Sequence, residues 1–542
     1  MPAGGLEGRG EAGLFEDARM LGNAPLEADL CIIGAGAAGL TLASPFAGTG
    51  VRVLLLESGG EGIEREVEQL NGNATVSGLP YPLQASRLRY IGGTTNHWSG
   101  HCYRFLDRDF AARPGVPNTG WPIALADIAD YLPEASKRVL FREDTVDWSP
   151  EAWRRRLATQ GWPLDPQLFE TRLTFVAPLN PQTGNRTFAR YAPSVAKAPN
   201  IRFLHHANVT ELVGSADGTR IEEATVRTLP GSEAKVRARV FVLAAGGVEN
   251  ARVLLASRRP FAAGLGNAHD QVGRYFTDHV VIYQDFARNS AVPMDRLMAF
   301  QDYPGDTHTV SHFLLTDAAL RRERIDDVFL RVTPVYEQPT AGGAAAKRLQ
   351  DGIAAGDAGS IRGEDLSTAL AHPLDTAGWA VDRGYCRAEP TRYRVAARLE
   401  PRPIPESRVT LTDAVDALGM PILNLHWALA DEGKRSLHRS LMLFGEETGR
   451  RGLGRLRLRY DPEAPWPDFP ELDIGYHHTG TTRMSDDPRH GVVDRDCRVH
   501  GVGNLYVAGS SVFPTAGSGS PTMMLTALAL RLSDHLRQEH FA

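Results

Sequence analysis

A pair of histidines in a loop of small polar residues is the first feature of this sequence that could do chemistry. His477 and His478 are followed by residues 479–484, which read Thr-Gly-Thr-Thr-Arg-Met. An imidazole has an ordinary pKa of about 6.5, so it can accept a proton from a hydroxyl group at neutral pH. A general base must lie within hydrogen-bond reach of the proton that it removes. The loop is therefore a candidate acid–base site.

A glycine-rich turn near the start of the chain has the form that binds a dinucleotide. Gly34, Gly36 and Gly39 follow the apolar run 29–33 and open a helix-like segment. Glycines at this spacing allow a tight turn, close approach of the backbone to a pyrophosphate, and close packing of helix on strand. The phosphates would lie at the helix N-terminus, where free N–H groups favour negative charge.

Glu57 ends a second apolar strand, residues 51–56. A carboxylate about 20 residues beyond the glycines is placed to bind an adenosine ribose, which favours NAD or FAD over NADP. A glycine fingerprint alone is also compatible with an ordinary turn. The strand, helix, second strand and terminal acid together predict dinucleotide binding.

Composition limits the class of protein. The chain has 542 residues, 42% of them hydrophobic and 23% charged, and a net charge of −6. This describes a globular protein of two to four domains, and it gives no basic surface for a nucleic-acid partner. The four cysteines are scattered, without a CxxC pair, so no metal site or attached c-type haem is expected. The sequence contains neither an apolar run of 18 residues nor a signal segment, so a membrane span and export are not predicted and a cytoplasmic location is expected. Export on a partner subunit that carries its own signal would leave no trace in this sequence.

The nucleotide-type elements are separated along the chain. They fall in residues 26–130, 200–285 and 470–542, whereas 131–199 and 286–469 carry no nucleotide signature. This arrangement predicts an α/β fold in which a Rossmann-like domain is discontinuous in sequence and a second domain is inserted into it.

The loop 90–100 is a further specific pattern and reads Tyr-Ile-Gly-Gly-Thr-Thr-Asn-His-Trp-Ser-Gly. Its two consecutive glycines let the backbone pass close to a ring system. With this loop the chain resembles the glucose–methanol–choline (GMC) family of flavin oxidoreductases, and within it the branch of sugar and polyol oxidases and dehydrogenases. The other matching elements are residues 34–39, 57–60, 246–252 (Gly-Gly-Val-Glu-Asn-Ala-Arg), 407–411 (Ser-Arg-Val-Thr-Leu) and the tail from Tyr476. The resemblance implies that FAD is the cofactor and that the inserted segments form a sheet-based, α+β substrate-binding domain.

The resemblance also implies which residues contact FAD. Those residues are Gly34, Gly36, Gly39, Glu57, Ser58, Gly92, Gly93, Thr94, Thr95, Asn96, His97, Val209, Ala245, Gly509, Ser510, Pro521 and Thr522. His97 matches a position that carries a covalent bond to the flavin in some members, while other members with related loops hold FAD without that bond. Packing of His97 beside Trp98 is the alternative interpretation of that residue.

By the same resemblance, His477 is the general base for oxidation of an alcohol, with hydride passing to flavin N5, and His478 is structural. Ser520 departs from the family pattern, since most relatives carry His or Asn there. Two interpretations stay open for it: a polar group of the active site, or an N-cap with Pro521 at the first helical position. His279 is interpreted as structural, near the domain junction.

The expected activity is oxidation of a CH–OH group of a small-molecule alcohol, with a sugar, glycoside or polyol favoured and an aromatic primary alcohol as the alternative. Oxygen, a quinone or a redox protein could accept the electrons. A non-redox lyase of the same fold has the same motifs and is a second hypothesis. A flavoprotein that only binds a ligand is less favoured, because the histidine loop would then have no catalytic role. A nicotinamide-dependent dehydrogenase is disfavoured because the loops are of the flavin-binding type.

Overall fold

The computed structural model describes residues 14–22, 24–146, 148, 163–180, 186–289, 301–303, 307–335, 363–373, 392–466 and 472–542, together with positions 342, 345, 346 and 349.

The strands of these residues are β1 (Glu16–Asp17), β2 (Leu26–Ile33), β3 (Val53–Leu56), β4 (Thr75–Gly78), β5 (His101–Cys102), β6 (Phe169–Val176), β7 (Ile201–His205), β8 (Asn208–Gly214), β9 (Ile221–Arg227), β10 (Glu233–Leu243), β11 (Val280–Arg288), β12 (Gln301–Tyr303), β13 (Thr307–Leu315), β14 (Val328–Val335), β15 (Arg392–Leu399), β16 (Arg408–Val415), β17 (Pro421–Trp427), β18 (Gly454–Arg457), β19 (Asp473–Ile474) and β20 (Leu505–Val507).

The α-helices are α1 (Ala37–Ala43), α2 (Arg65–Gly72), α3 (Asp107–Phe110), α4 (Leu132–Leu140), α5 (Ala192–Ala196), α6 (Glu249–Ala256), α7 (Asp317–Glu323), α8 (Gly363–Ala371), α9 (Glu432–Arg450) and α10 (Thr522–His540). Helix α10 packs against α1 and α4.

The first sheet has eight strands in the order β1-β7-β3-β2-β10-β9-β8, with β20 also paired to β10. The neighbouring strands β1, β7, β3, β2 and β10 pair in parallel, and β20 also pairs in parallel with β10. Strands β9 and β8 are added to β10 as an antiparallel edge. Strand β3 is buried along its whole length, as is typical of a parallel strand covered on both faces. The mixed α/β fold predicted from the sequence is confirmed.

Parallel pairing brings three distant turns to one edge of this sheet. The amide N–H of Gly34 donates to the carbonyl oxygen of Leu56, that of Ala244 to Ile33, and that of Ala508 to Leu243, each at 2.7 Å. The chain therefore leaves β2, β10 and β20 side by side. In open parallel sheets, ligands bind at the carboxyl ends of the strands.

The second sheet has nine strands and is antiparallel throughout. Its order is β18-β11-β15-β14-β13-β6-β5, with β12 on β13 and β19 on β11. Strands β16, β17 and β4 form a separate small sheet. Part of the second sheet comes from stretches assigned by sequence to the nucleotide-binding domain, namely β5, β11 and β19. The two-domain division at the limits given above stays a prediction.

Within the described residues, each helix is too short or too polar to cross a lipid bilayer.

The side chain of Asn504 is expected to be a main contributor to the stability of the first sheet. Its amide accepts from the N–H of Ile221 at 2.7 Å and donates to the carbonyl oxygens of Ile221 and Arg239 at 2.9 and 3.0 Å. Asn504→Ala leaves these buried backbone groups without partners, so we expect a loss of at least about 2 kcal/mol in the free energy of unfolding. Urea-induced unfolding measures it. Asn73→Ala, at an exposed position, is the control, and equal midpoints for the two variants would contradict the assignment.

Candidate active site

A cavity of about 620 Å³ lies between the carboxyl edge of the first sheet and one face of the second. Most of the residues predicted from the sequence line it. They are Gly34, Gly36, Glu57, Ser58, Gly93, Thr94, Thr95, His97, Val209, Ala245, His477, Gly509, Ser510, Ser520, Pro521 and Thr522. The structure thus brings the glycine turn, the loop after Gly92 and the C-terminal tail to one site.

The three glycines of the first turn have different surroundings. Gly34 has a φ of +110°, and a Cβ added there would lie 2.5 Å from the carbonyl oxygen of Ala244. A Cβ on Gly39 would lie 1.8 Å from the carbonyl oxygen of Gly34, so this residue allows α1 to pack closely on the turn. Gly36 has no heavy atom within 4 Å of such a Cβ and lines the cavity. The wall at Gly36 is therefore bare backbone.

Glu57 connects the glycine turn to the loop that follows β3. Its Oε2 accepts from the N–H of Ala35 at 2.8 Å, and its Oε1 accepts from the N–H of Gly59 and the hydroxyl of Ser58, both at 3.1 Å. Both carboxylate oxygens are held at the cavity wall by these contacts. The carboxylate thus fixes the relative position of the two loops.

The loop after β3 and α2 enters the cavity as a short 3-10 helix, Gly93–Asn96. Gly92, at a φ of +93°, packs on Thr187. The Asn96 amide donates to the carbonyl oxygens of Ile91 and Gly93 at 3.0 and 2.8 Å, and it accepts from the Thr187 hydroxyl at 2.6 Å. Gly39, Gly92 and Asn96 shape the cavity wall without lining it. Their predicted contact with a cofactor stays a prediction.

His477 is held from both its backbone and its ring. Its N–H donates to Oδ1 of Asp278 at 2.8 Å, and its Nδ1 lies 2.9 Å from Nδ1 of His279. A Cβ added to Gly475 would lie 2.7 Å from the Nδ1 of His477, so glycine is required where the two rings meet. Oδ2 of Asp278 accepts from the hydroxyl of Tyr81 at 2.5 Å. Burial raises the pKa of Asp278 to about 7.

The hydrogen-bond chain assigns the protons on the two imidazoles. His279 Nε2 lies 2.6 Å from the carbonyl oxygen of Gly517, which can only accept, so Nε2 carries a proton. Burial lowers the pKa of His279 to about 3, so the ring is neutral and its Nδ1 is an acceptor. His477 must therefore donate from Nδ1, which leaves its Nε2 unprotonated.

Burial also keeps the His477 ring neutral. Burial, together with the neighbouring His279 and Arg398, lowers the pKa of His477 well below its ordinary value. His478 differs from it, since its ring packs beside Tyr81 and Phe276, with centroids 5.7 and 5.5 Å away. Burial lowers the pKa of His478 to about 3.

Ser520 does not cap α10. The N-cap of that helix is Pro521, no side chain caps it, and Ser520 lies one residue earlier on the cavity wall. The N-cap interpretation of Ser520 is therefore wrong. The local Ser-Pro pattern matched a helix start, but the helix begins one residue later than the pattern implies.

Comparisons with known proteins match the C-terminal part of the chain to a family model. Residues 403–529 match the family model described as GMC oxidoreductase. The 2-methyl-1,2-propanediol dehydrogenase of Mycolicibacterium austroafricanum is 25% identical, covering 94% of this chain and 95% of that protein. The fructose dehydrogenase large subunit of Gluconobacter japonicus is 23% identical, covering 95% and 98%.

The solved structure of pyridoxine 4-oxidase from Mesorbium loti has a TM-score of 0.57 at 18% identity, covering 94% of this chain and 99% of that one, and so shares the fold. Residues 403–529 thus match the C-terminal domain of the GMC oxidoreductases, and the whole chain is similar in sequence and fold to known oxidases and dehydrogenases.

Part of this site was not predicted from the sequence. His279 was placed only at a domain junction, although its ring contacts the ring of His477, 198 residues away in sequence. The adjacent Asp278-His279 pair was the available signal. Arg331 and Arg398, on β14 and β15, also line the cavity and had no sequence motif around them.

His279 is predicted to act as a positioning residue for His477. His279→Leu removes the acceptor for Nδ1 of His477, and the proton can then move to Nε2. We expect the turnover number for an alcohol substrate to fall by about 100-fold, with a smaller change in KM, because the wrong tautomer cannot act as a base.

His279→Gln is the conservative variant, since an amide can donate to Gly517 and accept from His477. Its turnover number should lie between that of His279→Leu and that of the unaltered protein. Equal losses in the two variants, with circular dichroism spectra unchanged, would contradict the positioning role.

Proposed function

We propose that the whole chain is a GMC oxidoreductase, which binds FAD in the cavity and oxidises a CH–OH group of a sugar, glycoside or polyol with His477 as general base. The observation that carries the proposal is the hydrogen-bond chain from Gly517 through His279 to Nδ1 of His477, at the wall of a cavity that also contains a dinucleotide-type turn. This chain leaves Nε2 of His477 to accept a proton.

The residues around the cavity fit FAD. Bare backbone at Gly36 leaves space for a pyrophosphate beside the N-terminus of α1, where free N–H groups favour phosphate. Glu57, Ser58 and Val209 lie together on the wall where an adenosine would be held. FAD supplies the acceptor for the hydride that leaves the alcohol carbon. Pro521 and Thr522 bring the N-terminus of α10 to the same cavity, which favours negative charge there.

His477 would receive the proton of the substrate hydroxyl on Nε2. The developing positive charge on the imidazole ring is shared with the Nδ1–H group, which stays hydrogen-bonded to Nδ1 of His279. Because His279 is neutral and held by Gly517, the ring keeps one orientation before and after proton transfer. Ser520 adds a hydroxyl to the cavity wall that can bond to the substrate oxygen, but serine is not a comparable base.

The names of the relatives favour a polyol or sugar as the substrate. Besides the propanediol and fructose enzymes, a C-glycoside 3-oxidase of Microbacterium trichothecenolyticum is 33% identical over 24% of this chain. These proteins act on different alcohols, so they support the class of reaction and leave the individual substrate open.

Anaerobic visible absorption of the purified protein tests the proposal. We expect bleaching of a flavin spectrum by one class among sugars, polyols and aryl alcohols. In His477→Gln the bleaching should be at least about 100-fold slower, the usual effect of removing a general base. Admitting air, or adding a quinone, then identifies the electron acceptor. A yellow protein that no alcohol bleaches would point to the lyase alternative, and a protein that cannot be reconstituted with FAD would refute the proposal.

The pH dependence of reduction should report the low pKa of His477. A depressed pKa keeps the imidazole unprotonated below its ordinary range. The rate constant for reduction at saturating alcohol should therefore stay level from pH 8 to below 6.5 and fall only in more acidic solution. Loss of half the rate near pH 6.5 would contradict this.

A further inference from the structure

Two arginines project from the second sheet into the cavity. Arg398 on β15 lies opposite Val281 on the neighbouring strand β11 and opposite Phe329 on the other neighbouring strand, β14. Arg331 lies two residues after Phe329 on β14, and side chains two residues apart on a strand share a face. Arg331 and Arg398 both line the cavity, as this placement requires.

Neither arginine is neutralised by an acid. Arg331 donates from Nη1 to Nε2 of His101 at 3.1 Å, and its Nε has no hydrogen-bond partner. Arg398 donates from Nε to the carbonyl oxygen of Ser518 at 3.0 Å, and its guanidinium lies 4.1 Å from the ring centroid of Phe329. Among the residues that the structure describes, neither forms an ion pair with a carboxylate.

The acidic residues of the cavity wall are engaged elsewhere. Both oxygens of Glu57 accept from backbone N–H groups. Glu249 forms ion pairs with Arg87, Arg89 and Arg252. Asp473 is exposed and accepts from the hydroxyl of Tyr283 at 3.4 Å. The carboxylate of Asp278 raises the pKa of Arg398 but is hydrogen-bonded to Tyr81 and His477. Within the described part of the chain, Arg331 and Arg398 therefore have no carboxylate paired with them.

An uncompensated buried cation is costly, and two other buried arginines of this chain are paired with carboxylates. Arg252 pairs with Asp416 at 2.7 Å, and Arg108 pairs with Asp327 at 2.8 Å. By contrast, burial lowers the pKa of Arg398 to about 9, and burial also lowers the pKa of Arg331. The pKa of His101 is lowered to about 3 by burial and by both arginines, so that ring accepts from Arg331 as a neutral group. Such a site gains free energy when an anion enters it.

The charge of Arg398 also lies close to the proposed base. Ser518, which holds Arg398, follows Gly517, which holds His279. The charge of Arg398 contributes to the low pKa of both His279 and His477. An anion bound by the arginines would therefore lie in the same cavity as His477 and within electrostatic range of it.

We propose that Arg331 and Arg398 form a subsite for an oxyanion of the substrate, so that the preferred substrate is an alcohol that carries a carboxylate or a phosphate, such as a sugar acid or a sugar phosphate. A guanidinium matches either group through two parallel hydrogen bonds. This inference rests on the proposed alcohol oxidation. It adds to that proposal the charge of the substrate, which the names of the relatives do not imply.

Matched substrates test the charge preference in the holoenzyme. The pairs are methyl β-glucoside with methyl β-glucuronide, and glycerol with glycerate and with glycerol 3-phosphate. We expect kcat/KM to be at least about tenfold higher for an anionic member than for its neutral counterpart. The carboxylate and phosphate members separate the two sources of the oxyanion. Equal or better use of every neutral member would overturn the proposal.

Variants assign the preference to the subsite. Arg331→Met should lower the anionic-to-neutral ratio of kcat/KM by about tenfold or more, chiefly through KM of the anion, and Arg331→Lys should keep part of the ratio. Arg392→Met, at an exposed position on the same strand as Arg398, removes the same charge outside the cavity and should leave the ratio unchanged. A ratio that is the same in Arg331→Met as in the unaltered protein would overturn the assignment.

A binding measurement separates failure of this inference from failure of the proposed function. Acetate and inorganic phosphate are titrated calorimetrically into the holoenzyme, since neither can be oxidised as an alcohol. Arg331→Met should weaken the binding of at least one of them by about tenfold, or about 1.4 kcal/mol. That result supports the subsite even if no alcohol bleaches the flavin. Unchanged binding of both ions in Arg331→Met would overturn the subsite and leave alcohol oxidation standing.

Discussion

The hydrogen-bond chain from the Gly517 carbonyl through His279 to His477 is the constraint on which the rest of the active site depends. It works only if both rings stay neutral, and burial achieves this by lowering the pKa of each. It also requires three distant parts of the chain to meet. His279 precedes β11 directly, His477 follows β19, and β11 and β19 are paired. The second sheet thus delivers the two rings to each other, and the loop before α10 supplies the terminal acceptor.

The local features of the site were predictable from the sequence. The glycine turn at Gly34 and Gly36 depends on backbone geometry that a few neighbouring residues determine, and the structure places it at the cavity wall. Glu57 was predictable because the end of a strand in a parallel sheet has a known position. The mixed α/β fold follows from apolar strands alternating with helix-like segments. The assignment of His477 over His478 rested on the register of a short motif.

Long-range features were not predictable in the same way. The contact of His279 with His477 depends on strand pairing between segments about 200 residues apart, and one sequence without relatives does not specify that pairing. Arg331 and Arg398 read as ordinary arginines in alternating strands, because their direction depends on register. The error at Ser520 had a local cause: Ser-Pro matches a helix start, and the tertiary structure starts α10 at Thr522.

The protonation of the two imidazole rings can be measured in the ¹⁵N NMR spectrum of the protein labelled at the histidine ring nitrogens, with the His477 signals assigned by their absence in His477→Gln. We expect a neutral His477 ring at pH 7, protonated at Nδ1 and unprotonated at Nε2, and a neutral His279 ring protonated at Nε2. A His477 ring that is protonated at Nε2, or at both nitrogens, would contradict this expectation.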